Sequence, residues 1–150
     1  MKDFMNHPIV KGYIKANNFG QLLGMEFDII APGDIVYSMP ITEQLLATPI
    51  AAHGGCISAL MDATMGVCAL SQVLEDDKVV STVELKISYI APALLGDTVH
   101  ASAKIVKSGS RVLFVEGELH NQRNERIAVA TGTFNAYPVE KAGFTPISES

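Results

Sequence analysis

The stretch from His53 to Leu70 limits what this chain can become more than any other. His53-Gly54-Gly55 opens it, and Ile57, Leu60, Met61, Met65, Val67 and Leu70, with alanines between them, leave no broad polar face. A helix that is apolar almost all round belongs inside a folded unit rather than on its surface. The pattern predicts a helix from about Gly55 to Leu74, ended by the solvated turn Glu75-Asp76-Asp77-Lys78. Yet Asp62 stands two turns in. A carboxylate in apolar surroundings is costly unless it is paired, solvated from one side or used. Two readings are open from spacing alone: a core carboxylate satisfied by Ser58 or a backbone amide, or a functional group.

The rest of the chain must cover that helix. With 150 residues and 48% apolar content, it is long enough for one domain with a proper core, and ordered. We expect a single domain over residues 1–150, with an N-terminal helix in 1–19 and an exposed tail in 138–150. The net charge of −5, with no basic run, argues against nucleic acid as the main partner. Cys56 and Cys68 both fall in the helix, about 18 Å apart at 1.5 Å per residue. A disulfide needs Cα atoms within about 7 Å, so reduced, buried thiols and a cytoplasmic location are expected. No Cys or His pair has metal-ligand spacing. Residues 1–8 lack the apolar core of a signal peptide. No apolar run reaches the ~20 residues of a membrane span, Asp62 interrupting the nearest one.

Upstream, Asn6 is positioned to cap a short helix with Pro8 in its first turn. Ile9, Val10, Tyr13 and Ile14 share one face of it, suited to covering something. Residues 24–40 read as a hairpin turning at Ala31-Pro32-Gly33-Asp34. Downstream, Val79–Ile90, Thr98–Lys107, Arg111–His120 and Arg126–Tyr137 read as strands joined by short turns, hence mostly antiparallel. In the first of them, strict alternation sends Val83, Leu85, Ile87 and Tyr89 one way and Thr82, Glu84, Lys86 and Ser88 the other. A curved sheet wrapped around one apolar helix satisfies this order, with another subunit closing what the sheet leaves open.

Three features carry a resemblance to a known family. His53-Gly54-Gly55 opens a buried helix, with Asp62 nine residues after the histidine. Thr82-Val83-Glu84-Leu85-Lys86-Ile87-Ser88-Tyr89 runs into Ala91-Pro92 and Gly96-Asp97. Ala128-Val129-Ala130-Thr131-Gly132-Thr133-Phe134 follows near the end. In this order they resemble the hotdog-fold acyl-CoA thioesterases, in the branch of the phenylacetate-pathway thioesterase and mammalian thioesterase-superfamily member 2. The resemblance covers roughly residues 20–137. It implies an α+β hotdog fold with a six-stranded sheet, and hydrolysis of an acyl-CoA thioester. It also implies a homo-oligomer, a dimer or a dimer of dimers (homotetramer), whose sites are shared between subunits. No metal or redox cofactor is implied, since coenzyme A is part of the substrate. One departure stands at Ala47-Thr48, where many members carry an asparagine six residues before the histidine.

The residues suit that chemistry. The first amides of a helix lack partners and carry its positive dipole end, and two glycines let a carbonyl approach closely. The Gly55 N–H is the expected polarising donor, with His53 orienting the Gly54-Gly55 loop. Asp62 is the expected general base or nucleophile. By resemblance, Thr82 brings a hydroxyl near the attacking water, although its alternation phase turns it away from Leu85. By resemblance too, Tyr89, Ala91 and Pro92, and the turn of Lys107, Ser108, Gly109 and Arg111, hold parts of coenzyme A; at the loop, either Thr48 stands in for the asparagine with the loop shifted by one, or that contact is absent. Leu22, Leu23, Met61, Met65, Phe134 and Tyr137 are candidates for an apolar acyl pocket. A non-catalytic acyl-CoA binder and a hotdog hydratase or dehydratase are the alternatives.

Overall fold

The apolar stretch forms the helix its composition requires. In the computed structural model, which describes residues 3–143 and 145–148, it runs Gly54–Val73. Two shorter helices precede it, so the three are α1 (Pro8–Ala16), α2 (Asn18–Leu22) and α3 (Gly54–Val73). His53 caps α3 from an extended conformation, its Nδ1 accepting the Gly55 N–H at 2.7 Å. A 3-10 turn at Leu74–Asp76 ends it, and Asp77, at φ 52°, redirects the chain.

Six strands surround α3: β1 (Glu26–Ala31), β2 (Asp34–Pro40), β3 (Lys78–Tyr89), β4 (Thr98–Ser108), β5 (Val112–Asn121) and β6 (Arg126–Pro138). They form one sheet in the order β1-β2-β4-β5-β6-β3, with every neighbouring pair antiparallel. This curved sheet round a long central helix is the hotdog arrangement expected. Leu60, Met61 and Met65 are fully buried where α3 meets it, each contributing about 1.5–3 kcal/mol of apolar burial. The contact is close because Gly117 and Gly132 lie beneath. A Cβ on Gly117 would stand 2.7 Å from Met61 Sδ, and one on Gly132 would stand 3.2 Å from Met65 Cε. By length and composition Gly54–Asp76 could cross a membrane, with mean hydropathy 1.5, so Asp62 does not interrupt the run as expected. However, 67% of that window is buried within the molecule.

Four strands carry one extra residue each: Ile30 in β1, Val83 in β3, Val106 in β4 and Ile127 in β6. The first three are exposed, at 49%, 64% and 57%, and Ile127 is buried. Such bulges bend a strand and re-aim the residues beside them.

Both chain ends depart from expectation. His7, not Asn6, caps α1, its Nδ1 accepting the Ile9 N–H at 3.3 Å, with Pro8 in the first turn. Asn17 stops α1 and caps α2, its Oδ1 accepting the Gly20 N–H at 3.1 Å. The segment after β6 is not simply an exposed tail. Val139 is buried, and the Ile147 N–H donates to Pro8 O at 3.0 Å, tying the segment to α1. Phe144, Glu149 and Ser150 lie outside the described residues, as do Met1 and Lys2 of the expected N-terminal helix.

Candidate active site

Asp62 has a partner, and it is neither Ser58 nor a backbone amide. Thr82 Oγ1 donates to Asp62 Oδ1 at 2.7 Å, while Ser58 Oγ donates back to Gly55 O at 3.0 Å. The contact depends on the bulge in β3. Thr82 lies opposite Phe134, and Leu85 opposite Gly132, with Val83 left over between them. Directly paired residues share a face of the sheet. Phe134 is fully buried, and Gly132 sits against Met65. Thr82 and Leu85 therefore both face α3, contrary to strict alternation, because the extra residue shifts the phase by one.

The pair borders a cleft of about 220 Å³ between α3, β3 and the end of β6. Ala63 and Gly66 leave room on the helix side; Phe134 and Tyr137 supply apolar walls. A Cβ on Gly66 would meet Phe134 at an ordinary 3.6 Å. Of the other candidates for this pocket, Met61 and Met65 are under the sheet instead, and Leu22 is 76% exposed. Leu23 packs on the core without bordering the cleft. Sequence reasoning missed Tyr13, Val80 and Ser81, which also line it. The small residues Ala63 and Gly66, the latter one helical turn from both Asp62 and Leu70, were the signal available for the helix wall.

A second cleft, about 350 Å³, lies at the start of α3 and brings together Gly54, Tyr89, Ala91 and Pro92. Tyr89 Oη donates to Gly54 O at 3.1 Å. The amides here differ from expectation. The Gly55 N–H is already taken by His53 Nδ1, and the Cys56 N–H donates to His53 O at 3.1 Å. The Gly54 N–H carries no hydrogen bond among the described residues and borders the second cleft, so it is an open donor there. Gly54 and Asp62 are eight residues apart on one helix, about 12 Å along its axis.

The remaining candidates stand apart from both clefts. Thr48 Oγ1 accepts the Ala51 N–H at 3.0 Å and the Ile50 N–H at 3.4 Å, so it organises its own loop. The turn of Lys107, Ser108, Gly109 and Arg111 is exposed at the sheet end nearest Lys78, whose Nζ donates to Ser110 O at 3.5 Å. A larger cleft, about 420 Å³, is on the outer face of the sheet around Lys86, Lys104 and Glu116. It borders neither Asp62 nor Gly54. Cys56 and Cys68 are free and buried, and burial raises both thiols, that of Cys68 to about 12. They are packing groups, not nucleophiles. Among the described residues no three His, Cys, Asp or Glu side chains cluster as metal ligands.

Residues 51–128, just over half of the chain, match the thioesterase superfamily. The chain belongs to the thioesterase superfamily. Within it, acyl-coenzyme A thioesterase 13 of Homo sapiens is 28% identical over 120 residues, covering 79% of this chain and 84% of that one. The acyl-coenzyme A thioesterase PaaI of Escherichia coli is 26% identical over 110 residues, 73% of this chain and 76% of its own. By structure, E. coli PaaI superposes with a TM-score of 0.77 at 22% identity, over 94% of this chain and 98% of that one. The Pseudomonas aeruginosa protein PA5202 gives 0.74 at 29% identity, over 81% and 94%. The superfamily match spans the helix start, Asp62, Thr82 and the Tyr89–Pro92 wall, and leaves out α1, β1 and β2.

Proposed function

We propose that this chain hydrolyses an acyl-CoA thioester to the free acid and coenzyme A, with Asp62 as the reacting carboxylate. The observation that carries this is the Thr82–Asp62 hydrogen bond at the mouth of a largely apolar cleft. The activities of the human and E. coli relatives support it. Thr82 engages Oδ1, which leaves Oδ2 to take a proton from water or to attack the carbonyl carbon itself. In either case the carbonyl oxygen gains charge and the C–S bond breaks, releasing the coenzyme A thiolate; where Oδ2 attacks directly, water then cleaves the acyl–Asp62 anhydride to the free acid and restores the carboxylate. The open Gly54 N–H, rather than that of Gly55, is the donor aimed at that oxygen, a contribution of about 3 kcal/mol by comparison with other oxyanion donors. His53 holds the next amide, and Tyr89 braces Gly54 from the other side. Both contacts position the donor.

The 12 Å between Gly54 and Asp62 supports a shared site. One carbonyl cannot touch both groups of the same helix, so the helix start of one subunit serves the carboxylate of another. Edge strand β3, with Val83 exposed at 64%, is the seam we assign to that homo-oligomer. The apolar cleft takes the acyl group, the Tyr89–Pro92 wall takes the pantetheine arm, and the cations Lys107 and Arg111 suit the nucleotide phosphates. Hydrolysis written this way needs no metal or redox cofactor. The free thiols suit the cytoplasm.

Thiol release from a panel of acyl-CoAs tests the reading. Asp62→Asn is expected to lose at least ~100-fold in kcat, the scale of a missing general base. A variant with wild-type rates on the best substrate overturns it.

A further inference from the structure

The cleft beside Asp62 is walled by α3 and by elements that follow it, with one exception. Tyr13, from α1, is the residue of the N-terminal segment that lines it. It is held from several directions. Asn17 Nδ2 donates to Tyr13 Oη at 3.2 Å, and the Tyr13 and Tyr37 hydroxyls share a hydrogen bond at 3.4 Å. The ring tilts against Phe27 with centroids 5.9 Å apart, and Phe27 stacks on Tyr37 at 4.9 Å. Tyr37 is buried on the inner face of β2, and Phe27 lies opposite it on β1. The Tyr13 ring thus stands between the Asp62 cleft on one side and an aromatic stack on the other. Burial raises the Tyr13 phenol, and the Asp62 carboxylate adds to that rise, as expected of two groups facing one cleft.

We propose that Tyr13 is the residue that sets how long an acyl chain the Asp62 cleft accepts, its ring forming the wall at which the chain stops. This rests on the acyl-CoA thioesterase reading above and deepens it. Three features make the wall firm: α1 is clamped by the buried Ile9 and Val10, by the Ile147–Pro8 hydrogen bond and by the Tyr13–Tyr37 contact. A wall fixed in this way discriminates by length, because a chain that reaches it must displace packed groups. Removing the ring extends the cleft towards Phe27 and Tyr37, an apolar space suited to more methylenes. The substrate class that follows for the wild-type protein is an acyl group that ends at the Tyr13 ring, with longer straight chains disfavoured.

The test compares kcat/KM for straight-chain acyl-CoAs from acetyl to palmitoyl in wild type, Tyr13→Ala, Tyr13→Phe and Tyr13→Trp. Tyr13→Ala is expected to move the optimum to longer chains and raise the long-to-short ratio at least ~10-fold, since each methylene in an apolar pocket discriminates on that scale. Tyr13→Phe keeps the ring and is expected to keep the wild-type profile. Tyr13→Trp is expected to move the optimum to shorter chains. An unchanged profile in Tyr13→Ala, or an equal loss at every length, overturns the proposal. If Tyr13→Ala does not fold, the contrast between Phe (profile unchanged) and Trp (optimum at shorter chains) decides it, and a Trp profile like wild type overturns the proposal. Calorimetric affinities for non-hydrolysable acyl-CoA thioethers of the same lengths separate the two readings. A thioether length preference that moves with Tyr13, together with wild-type rates in Asp62→Asn, would retain the length determinant and reject the catalytic role of Asp62.

Discussion

The Thr82–Asp62 pair resolves the conflict that a carboxylate in an apolar helix sets up. The hydroxyl satisfies one oxygen and holds its direction, while the other stays available. A bond of this kind to a charged group is worth about 1.5–3 kcal/mol, and its role here is orientation. Thr82→Val keeps the shape and removes the donor. It is expected to lower kcat about 10-fold with little change in KM, and Thr82→Ser is expected to restore most of the rate, both read by steady-state thiol release. At the helix start, the same scale of detail changes which amide is open. His53 Nδ1 takes the Gly55 N–H, which places the neutral ring's proton on Nε2. A Cβ on Gly55 would stand 2.8 Å from that Nδ1, so a glycine there lets the histidine fold back over the turn. The His-Gly-Gly motif was legible as a helix entry. Which glycine offers its amide was not, because that depends on a rotamer of the residue before it.

Among the elements, α3 and the sheet fit through their glycines. Gly117→Ala pushes a methyl group into the fully buried Met61 and Met65, and overpacking of this kind costs about 1–3 kcal/mol. The same change at Gly66, inside the helix and facing the cleft, meets only ordinary contacts and is expected to stabilise by up to about 1 kcal/mol. Denaturant midpoints of the two variants should therefore move in opposite directions. The loops at the helix start are joined to each other as well. Ala52 N–H donates to Ala93 O, Leu95 N–H to Ile50 O, and Ile41 N–H to Asp97 O. Asp97, 4% exposed, anchors that junction. Burial by itself would raise its carboxyl, but the Leu94 N–H, the Gln122 amide and the Arg123 guanidinium outweigh it and hold the group below the ordinary carboxylate range. A lowered folded-state value means the stabilisation is complete above the unfolded value of about 3.9. It is lost as pH falls through the folded value. Thermal midpoints followed downward from about pH 5 are expected to fall more steeply in wild type than in Asp97→Asn, with the difference confined below about pH 4.

For the whole molecule, the spacing of Gly54 and Asp62 has a consequence that does not depend on knowing the acyl group. If each site draws its amide from one subunit and its carboxylate from another, two inactive variants can rescue each other. Gly54 is the first residue of α3, where proline is tolerated and removes only the N–H. The extended His53 (ψ 135°) suits the position before a proline. Gly54→Ala controls for crowding against Tyr89, whose ring is 3.3 Å from a Cβ there. Unfolding and refolding Gly54→Pro together with Asp62→Asn is expected to recover about a quarter of wild-type activity, from the one intact site in each mixed dimer. No recovery would assign the whole site to one chain.

From the first hairpin to the last strand, the order and extent of the helix and strands were legible in the sequence because they follow from local rules, whereas α2 formed where Asn17, Asn18 and Gly20 read as a helix end. The apolar run of α3 demanded cover on all sides, and the short turns joining the last four strands required a mostly antiparallel sheet. The strand order was not legible: β3 leaves α3 and joins β6 at the far edge, a pairing between residues some fifty positions apart. Nor was the face of Thr82. Alternation assigned it outward, and one unpaired residue at Val83, visible only once β3 and β6 are in register, turned it to Asp62. Tyr13 read as part of a covering helix, and its place in the wall of the cleft arises only when its ring meets Phe27 of β1 and its hydroxyl Tyr37 of β2. Periodicity records how a residue sits on its own element. Which amide is left open, which hydroxyl meets the carboxylate and which ring closes the cleft are contacts between elements, and those are set by register and packing over the whole chain.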